Sequence, residues 1–261
     1  MFNRRALNLK KKLADGGISP GLWVSLPSPT ACEIIAGAGF DWVIVDAEHS
    51  PFNPETLQHM LMAFRGSDTV PLIRVPWNDH VVIKQMLDLG FDGVVVPHTN
   101  TPEEASRAVS ACRYPPVGRR GFGPRRAGNY YRDQDEYVRL ANDSVICAIQ
   151  LEDVAAAARI EDIVHVPGVD WVLVGPWDMS GTTQSFGDTE SDEVQNAIRR
   201  IFEVAQAAGR PAGNGYCGVD HIEKALGLGC QLVILGEDAG CLKQAVDGAV
   251  GTFREAIKNS G

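Results

Sequence analysis

A chain of 261 residues, 44% hydrophobic and 22% charged, has the make-up of a globular protein with a substantial core. Its net charge of −9 argues against broad nucleic-acid or anionic-membrane binding, which needs a basic footprint, but leaves room for a small anionic substrate held by a local Arg. No apolar run approaches the roughly 18 residues that span a bilayer, and the basic start "MFNRRALNLKKKL" lacks a signal peptide's apolar stretch.

Short Val/Ile/Leu runs alternate with stretches of helical period from end to end. The runs fall at 22–26, 42–45, 72–75, 93–96, 145–149, 171–174, 212–216 and 232–235. Between them lie amphipathic segments such as "DHVVIKQMLDLG" and "TPEEASRAVSACRY", opening on Asp, Thr or Asn as helix N-caps do. Many close on glycine: Gly39, Gly66, Gly90, Gly209 and Gly229. Eight βα units with continuous apolar strands imply a parallel sheet buried on both faces. In this length they favour an α/β fold closed as a (β/α)₈ TIM barrel, one domain over residues 1–261, over an open doubly wound sheet. The seventh run, "AGNGY", is a poor strand sequence. Two irregular regions, 114–133 and 180–193, follow elements that could both point at one barrel mouth. Six cysteines without a Cys-x-x-Cys pair, several inside apolar runs, read as buried reduced thiols in a cytoplasmic protein.

In such barrels the chemistry sits where the strands end. The second run ends in Asp46, Glu48 and His49, the third in Arg74, and the fourth in Pro97 and His98. The fifth gives Gln150 and Glu152, and the sixth Gly175, Pro176 and Asp178. Singly, each carboxylate reads as a helix cap or solvated loop residue, and His98 as a structural histidine. Together, four strands deliver opposite charges to one mouth, and repelling carboxylates there need a cation. Glu152 and Asp178, with no Cys beside them, suit a hard divalent ion, Mg²⁺ or Mn²⁺. A 2-oxo acid could chelate such an ion, which would polarise its carbonyl. Arg74 could then stabilise an enolate oxygen, and His49, oriented by Asp46, could move a proton. None of the seven lysines falls at a strand end, so a Schiff-base mechanism lacks its nucleophile. The loop "LGEDAG" places Glu237 and Asp238 where a phosphate would sit, which disfavours phosphorylated substrates.

The motifs "FDWVIVDAEHSPFN", "IRVPWND", "ACRYPPVGRRGFG", "QLED" and "VGPWDMS" resemble, in order and spacing, the HpcH/HpaI aldolase family of metal-dependent pyruvate aldolases. The resemblance implies a divalent-metal-dependent aldehyde-lyase that cleaves a 4-hydroxy-2-oxo acid to pyruvate, or a close analogue such as hydroxypyruvate, and an aldehyde through a metal-bound enolate. It implies Glu152 and Asp178 as ligands of Mg²⁺, Mn²⁺ or Co²⁺, and His49 with Asp46 as the proton-transfer pair. It places Arg74 on the pyruvyl oxygens, Gln150 beside the metal, and main-chain N–H groups around Trp177 and Asp178 on the substrate carboxylate. Glu48 takes a supporting role. A homo-oligomer, a hexamer with the last helix packed on a neighbour, is implied too, with Asp88 matching a position that reaches a neighbour's site. The alternatives on the same barrel are oxaloacetate decarboxylation and cleavage of an acyl-CoA substrate.

The chain departs from the family pattern in three places. Ala47 stands where Gly is common. "GNGYCG" replaces an apolar stretch, so Asn214 and Tyr216 either make the acceptor pocket more polar or are loop residues. The loop bearing Arg119, Arg120, Arg125 and Arg126 either greets a carboxylated or polyhydroxylated aldehyde or is a solvated loop at a subunit contact.

Overall fold

A computed structural model describes residues 4–215 and 218–259. It opens with α1 (Arg4–Ala14), followed by β1 (Ser19–Val24), α2 (Pro29–Ala36), β2 (Trp42–Asp46), α3 (Pro54–Ala63), β3 (Val70–Arg74) and α4 (His80–Leu89). Next come β4 (Gly93–Val96), α5 (Pro102–Cys112), α6 (Gln134–Ser144), β5 (Ile146–Leu151), α7 (Ile160–Val164), β6 (Trp171–Val174) and α8 (Pro176–Gly181). The chain ends with α9 (Asp192–Ala207), β7 (Ala212–Asn214), α10 (Ile222–Gly227), β8 (Leu232–Glu237) and α11 (Asp238–Asn259). The eight strands are parallel, pair in sequence order and close β8 onto β1, forming the expected (β/α)₈ barrel.

The helices start and stop where the sequence says they should. Ser28, Asn53, Asp79 and Thr101 each accept a main-chain N–H of the first turn that follows. All five glycines named as helix ends have positive φ, a conformation that a side chain would strain. Most strands shift from the expected runs by one to three residues, and two of the shifts have a local cause. β1 begins at Ser19 and stops at Val24, because Ser25 and Leu26 turn their N–H groups to the Asp238 carboxylate. β7 is only three residues long, since Gly213 and Asn214 are weak strand formers. Tyr216 lies outside the described residues.

Alternation along the strands builds two cores. Val43, Val45, Ile73, Val94 and Val96 face outward against the helices. Trp42, Ile44, Leu72, Ile146, Trp171 and Leu173 fill the lumen, where the Trp42 and Trp171 rings lie 5.8 Å apart. Gly21 makes room for them: a Cβ there would sit 2.3 Å from the Trp42 ring. The lumen series 42, 44, 46 and 146, 148, 150 then lifts Asp46 and Gln150 to the mouth.

The opposite end is closed by α1, which sends Ala6, Leu9 and Leu13 into the lumen core. Its cations meet an aspartate directly before each of three even-numbered strands: Lys12 with Asp41, Arg5 with Asp92 (2.6 Å) and Lys10 with Asp170 (2.8 Å). The loop over 114–133 also belongs to this floor, which corrects the expectation that it shares the mouth. It follows a helix, so it must lead back to a strand's N-terminal end. There Arg120 is buried on Asp88 (2.7 Å), and Arg126 donates to the Leu89 carbonyl oxygen. These two arginines are buried and bonded within their own chain rather than solvated, and Asp88 is engaged by Arg120. Arg119 and Arg125 are exposed.

Candidate active site

The barrel mouth holds a cavity of about 390 Å³ whose wall includes Asp46, His49, Arg74, Gln150, Trp177 and Asp178. Glu152 lies just beneath, its side chain 1% exposed. Every residue expected at the site therefore converges there, from the ends of β2, β3, β5 and β6. Among the described residues no lysine lines the cavity.

Arg74 and Asp46 anchor one side. The Arg74 Nε donates to Asp46 Oδ1 at 2.8 Å, and the indole of Trp23 lies 4.5 Å from the guanidinium carbon in a cation–π contact. Asp46 Oδ1 also receives the main-chain N–H groups of Glu48 (3.2 Å) and His49 (3.4 Å). Asp46 thus orients His49 through the turn that carries it rather than through the imidazole. The His49 ring is 66% exposed, with Nε2 3.9 Å from Glu48 Oε2. Glu48 Oε2 lies 3.2 Å from Arg74 Nε without hydrogen-bonding geometry, and it is buried with no hydrogen-bond partner.

Glu152 is gripped from two directions. Gln150 Nε2 donates to its Oε1 at 2.7 Å, and the His98 main-chain N–H donates to its Oε2 at 2.6 Å. His98 achieves this with a left-handed backbone, φ 48°, unusual for a non-glycine residue. Its imidazole also reaches the cluster, with Nδ1 3.3 Å from Glu152 and Nε2 3.8 Å from Glu48, while its face packs on Trp77. His98 thus holds the carboxylate cluster in place, in keeping with its reading as a hydrogen-bonded structural histidine. Gly175 completes the cradle, because a Cβ there would lie 2.8 Å from Glu152 Cγ. Asn100 Oδ1 accepts the Glu152 N–H and fixes the strand end.

Burial pushes the carboxyls of both Glu48 and Glu152 above the usual range, and repulsion from each other's neighbourhood, including Asp178, adds to it. Arg74 and His98 offset only part of this. Gln150 Oε1 is also buried without a hydrogen-bond partner. Such a surplus of oxygen donors suits a hard divalent cation, which Glu152 and Asp178 could hold. Among the described residues no three His, Cys, Asp or Glu side chains form a ready cage. Two carboxylates with the remaining positions left to substrate and water is a usual arrangement for Mg²⁺.

Trp23 and Glu237 also line the cavity and were not singled out as site residues from the sequence. Trp23 was accessible to that reading, since it keeps the lumen alternation of β1. Glu237 was named only as a carboxylate that disfavours phosphate, and a break in alternation is what brings it inward.

Residues 20–245 match the family model described as HpcH/HpaI aldolase/citrate lyase. The 5-keto-4-deoxy-D-glucarate aldolase of Klebsiella pneumoniae is 35% identical over 246 residues, covering 94% of this chain and 96% of that protein. Among solved structures, an HpcH/HpaI aldolase/citrate lyase family protein from Burkholderia cenocepacia superposes with a TM-score of 0.90 at 30% identity, covering 95% and 99% of the two chains. An HpcH/HpaI aldolase from Desulfitobacterium hafniense does so with a TM-score of 0.87 at 29% identity, covering 95% and 96%. With four of the five family motifs standing at the mouth of the barrel, this chain belongs to the HpcH/HpaI aldolase/citrate lyase family and is a carbon–carbon lyase, an aldolase.

Proposed function

We propose that this aldolase reversibly cleaves a hydroxylated 4-hydroxy-2-oxo acid to pyruvate, or a close analogue, and an aldehyde. The observation that carries the reading is the carboxylate surplus of buried Glu48 and Glu152 and of Asp178 on the cavity wall, beside a single fixed arginine. A divalent cation held by Glu152 and Asp178, with Mg²⁺ or Mn²⁺ the ions of choice and Co²⁺ a further candidate, would polarise the 2-oxo carbonyl and offset the charge of the enolate.

The chain's own residues do the rest. Arg74, fixed by Asp46 and Trp23, places a positive charge where the enolate oxygen develops, without reorganising during the reaction. His49 takes the proton from the 4-hydroxyl as the C3–C4 bonding pair moves into the enolate, and returns a proton in the condensation direction. Gln150 holds Glu152 in place. The N–H groups of Trp177 and Asp178 receive the substrate carboxylate. The name of the Klebsiella relative, a keto-deoxy sugar acid aldolase, supports a hydroxylated substrate.

The assembly belongs to the same reading. Beyond Ala239 every residue of α11 to Asn259 is exposed, including Leu242, Val246, Val250, Phe253 and Ile257 along one stripe. Such a stripe supports packing on another copy of the chain, as in the hexamer that the family resemblance implies. No described helix is long and apolar enough to cross a membrane. The free thiols of Cys32, Cys112, Cys147, Cys230 and Cys241 support a cytoplasmic setting.

The test is pyruvate release from a 4-hydroxy-2-oxo acid, followed by reduction of the pyruvate with lactate dehydrogenase and NADH. Release should depend on Mg²⁺ or Mn²⁺, stop on chelation and return on readdition. Release that persists in metal-free, chelated enzyme contradicts the reading.

A further inference from the structure

We propose that Glu237 sets the acceptor specificity of this site, selecting an uncharged hydroxylated aldehyde and rejecting one that carries a carboxylate at its far end. The inference rests on the aldolase reading above and concerns the half of the cavity that the pyruvate machinery leaves open.

The first observation is a break in β8. Leu232 and Ile234 face the lumen, while Val233 faces the helices. Strict alternation would therefore turn residue 236 inward and residue 237 outward. The pairing with β1 shows otherwise: Gly21 stands opposite Ile234, but Trp23 stands opposite Glu237, so β8 carries one extra residue between them. Gly236, at φ 148°, occupies this bulge in a conformation that side chains rarely adopt. Bulges beside active sites re-aim side chains. Here the bulge brings Glu237 into register with lumen-facing Trp23 and onto the cavity wall. The next residue, Asp238, locks the arrangement by accepting the N–H groups of Ser25 (2.9 Å) and Leu26 (3.2 Å).

The second observation is the charge of that wall. Arg74 is the only lysine or arginine lining the cavity among the described residues, and it is already held by Asp46 and covered by Trp23. The basic loop of the same chain, with Arg119, Arg120, Arg125 and Arg126, lies at the barrel floor. A terminal carboxylate on the acceptor would thus approach Glu237 with no second lysine or arginine of the same chain, among the described residues, to receive it. Hydroxyl groups, in contrast, can donate to the Glu237 oxygens while their carbon chain rests against Trp23. An aromatic face beside a carboxylate suits a polyhydroxylated chain. The selection works by repelling the wrong end as much as by binding the right one. It would set this chain apart from a relative named for a glucarate, which is a dicarboxylic acid.

The experiment compares two three-carbon acceptors that differ only at C3, glyceraldehyde with its CH₂OH and tartronate semialdehyde with its carboxylate. kcat/KM for condensation with pyruvate is measured for both, in the wild type and in Glu237→Gln and Glu237→Lys, with Mg²⁺ saturating. The ratio of the two values cancels any change in enolate formation common to both acceptors. The wild type should favour glyceraldehyde by at least about tenfold, a modest value for like-charge juxtaposition. Glu237→Gln should bring the ratio towards one, and Glu237→Lys should invert it. A wild type that favours tartronate semialdehyde, or a ratio that neither variant moves, overturns the inference while leaving the aldolase intact. Failure of the wild type to exchange pyruvate methyl protons in D₂O would instead overturn the aldolase reading, and this inference with it.

Discussion

The two ends of the barrel treat charge in opposite ways. At the floor, Asp41, Asp92 and Asp170 meet Lys12, Arg5, Lys10 and Arg113, so that each carboxylate has a cation within hydrogen-bonding distance. At the mouth, Asp46, Glu48, Glu152, Asp178 and Glu237 gather around Arg74 alone, with two histidines beside them. Both ends are tightly built, yet only one is electrically closed. A structural charge cluster comes to rest with its partners in place. A functional one is left short of the charge that its ligand brings, and its stability is spent on that vacancy of charge.

Substitutions at the two ends should therefore fail differently. The largest effect on stability is expected at the floor. Asp170→Ala removes the partner of Lys10 and of buried Arg113, and also the acceptor of the Cys147 N–H. It should lower unfolding free energy by about 3 kcal/mol in chemical denaturation, while kcat of the folded fraction stays at the wild-type value. At the mouth, Arg74→Lys should reverse that pattern. It keeps the charge but loses the fixed planar geometry on Asp46 and Trp23, so kcat should fall by roughly 10²–10³-fold with little change in the denaturation midpoint.

A smaller effect separates the shell around Glu152 from the carboxylate itself. His98→Ala removes the imidazole from Glu152 and Glu48 but keeps the main-chain N–H that holds Glu152. Mn²⁺ affinity, followed by paramagnetic resonance, should weaken by about 10–100-fold. His98→Asn, which tolerates the left-handed backbone and offers an amide donor, should recover part of it.

The subtlest signal is a pH slope from the floor. Burial pushes the Asp92 carboxyl up to about 6, against the lowering effect of Arg5. A carboxyl raised in the folded state contributes stability that is present below about pH 4 and lost as pH rises through about 6. Denaturation between those limits should show this decline in the wild type, and Asp92→Asn should lack it. A flat wild-type profile would mean that Arg5 keeps Asp92 ionised throughout.

Much of this was legible in the sequence because two periodicities carry it. The run "DWVIVD" alternates so that Trp42, Ile44 and Asp46 share the lumen, and the carboxylate emerges where a strand-end group must. Glu152 follows from Gln150 in the same way. The basic loop misled because its composition suggested ligand binding. Its place after α5 rather than after a strand commits it to the floor, where Arg120 and Arg126 are structural. Glu237 stood in the sequence only as a carboxylate that disfavours phosphate: the single extra residue at Gly236 reverses the alternation, and a lone glycine in a strand signals a bulge without fixing which side chain it turns inward. His98 was legible as a structural histidine, but its hold on Glu152 depends on a left-handed backbone that neither a lone histidine nor its neighbours foretell.

The central claim is that the mouth's uncompensated carboxylates exist to build an enolate of pyruvate with a divalent cation. The most direct measurement is exchange of pyruvate methyl protons into D₂O by NMR, with Mg²⁺ and again after chelation, in wild type, Glu152→Gln and Asp170→Ala. Exchange should require Mg²⁺, be abolished in Glu152→Gln, and survive per folded molecule in Asp170→Ala. Exchange that chelation leaves untouched, or that Glu152→Gln retains at the wild-type rate, would contradict the claim.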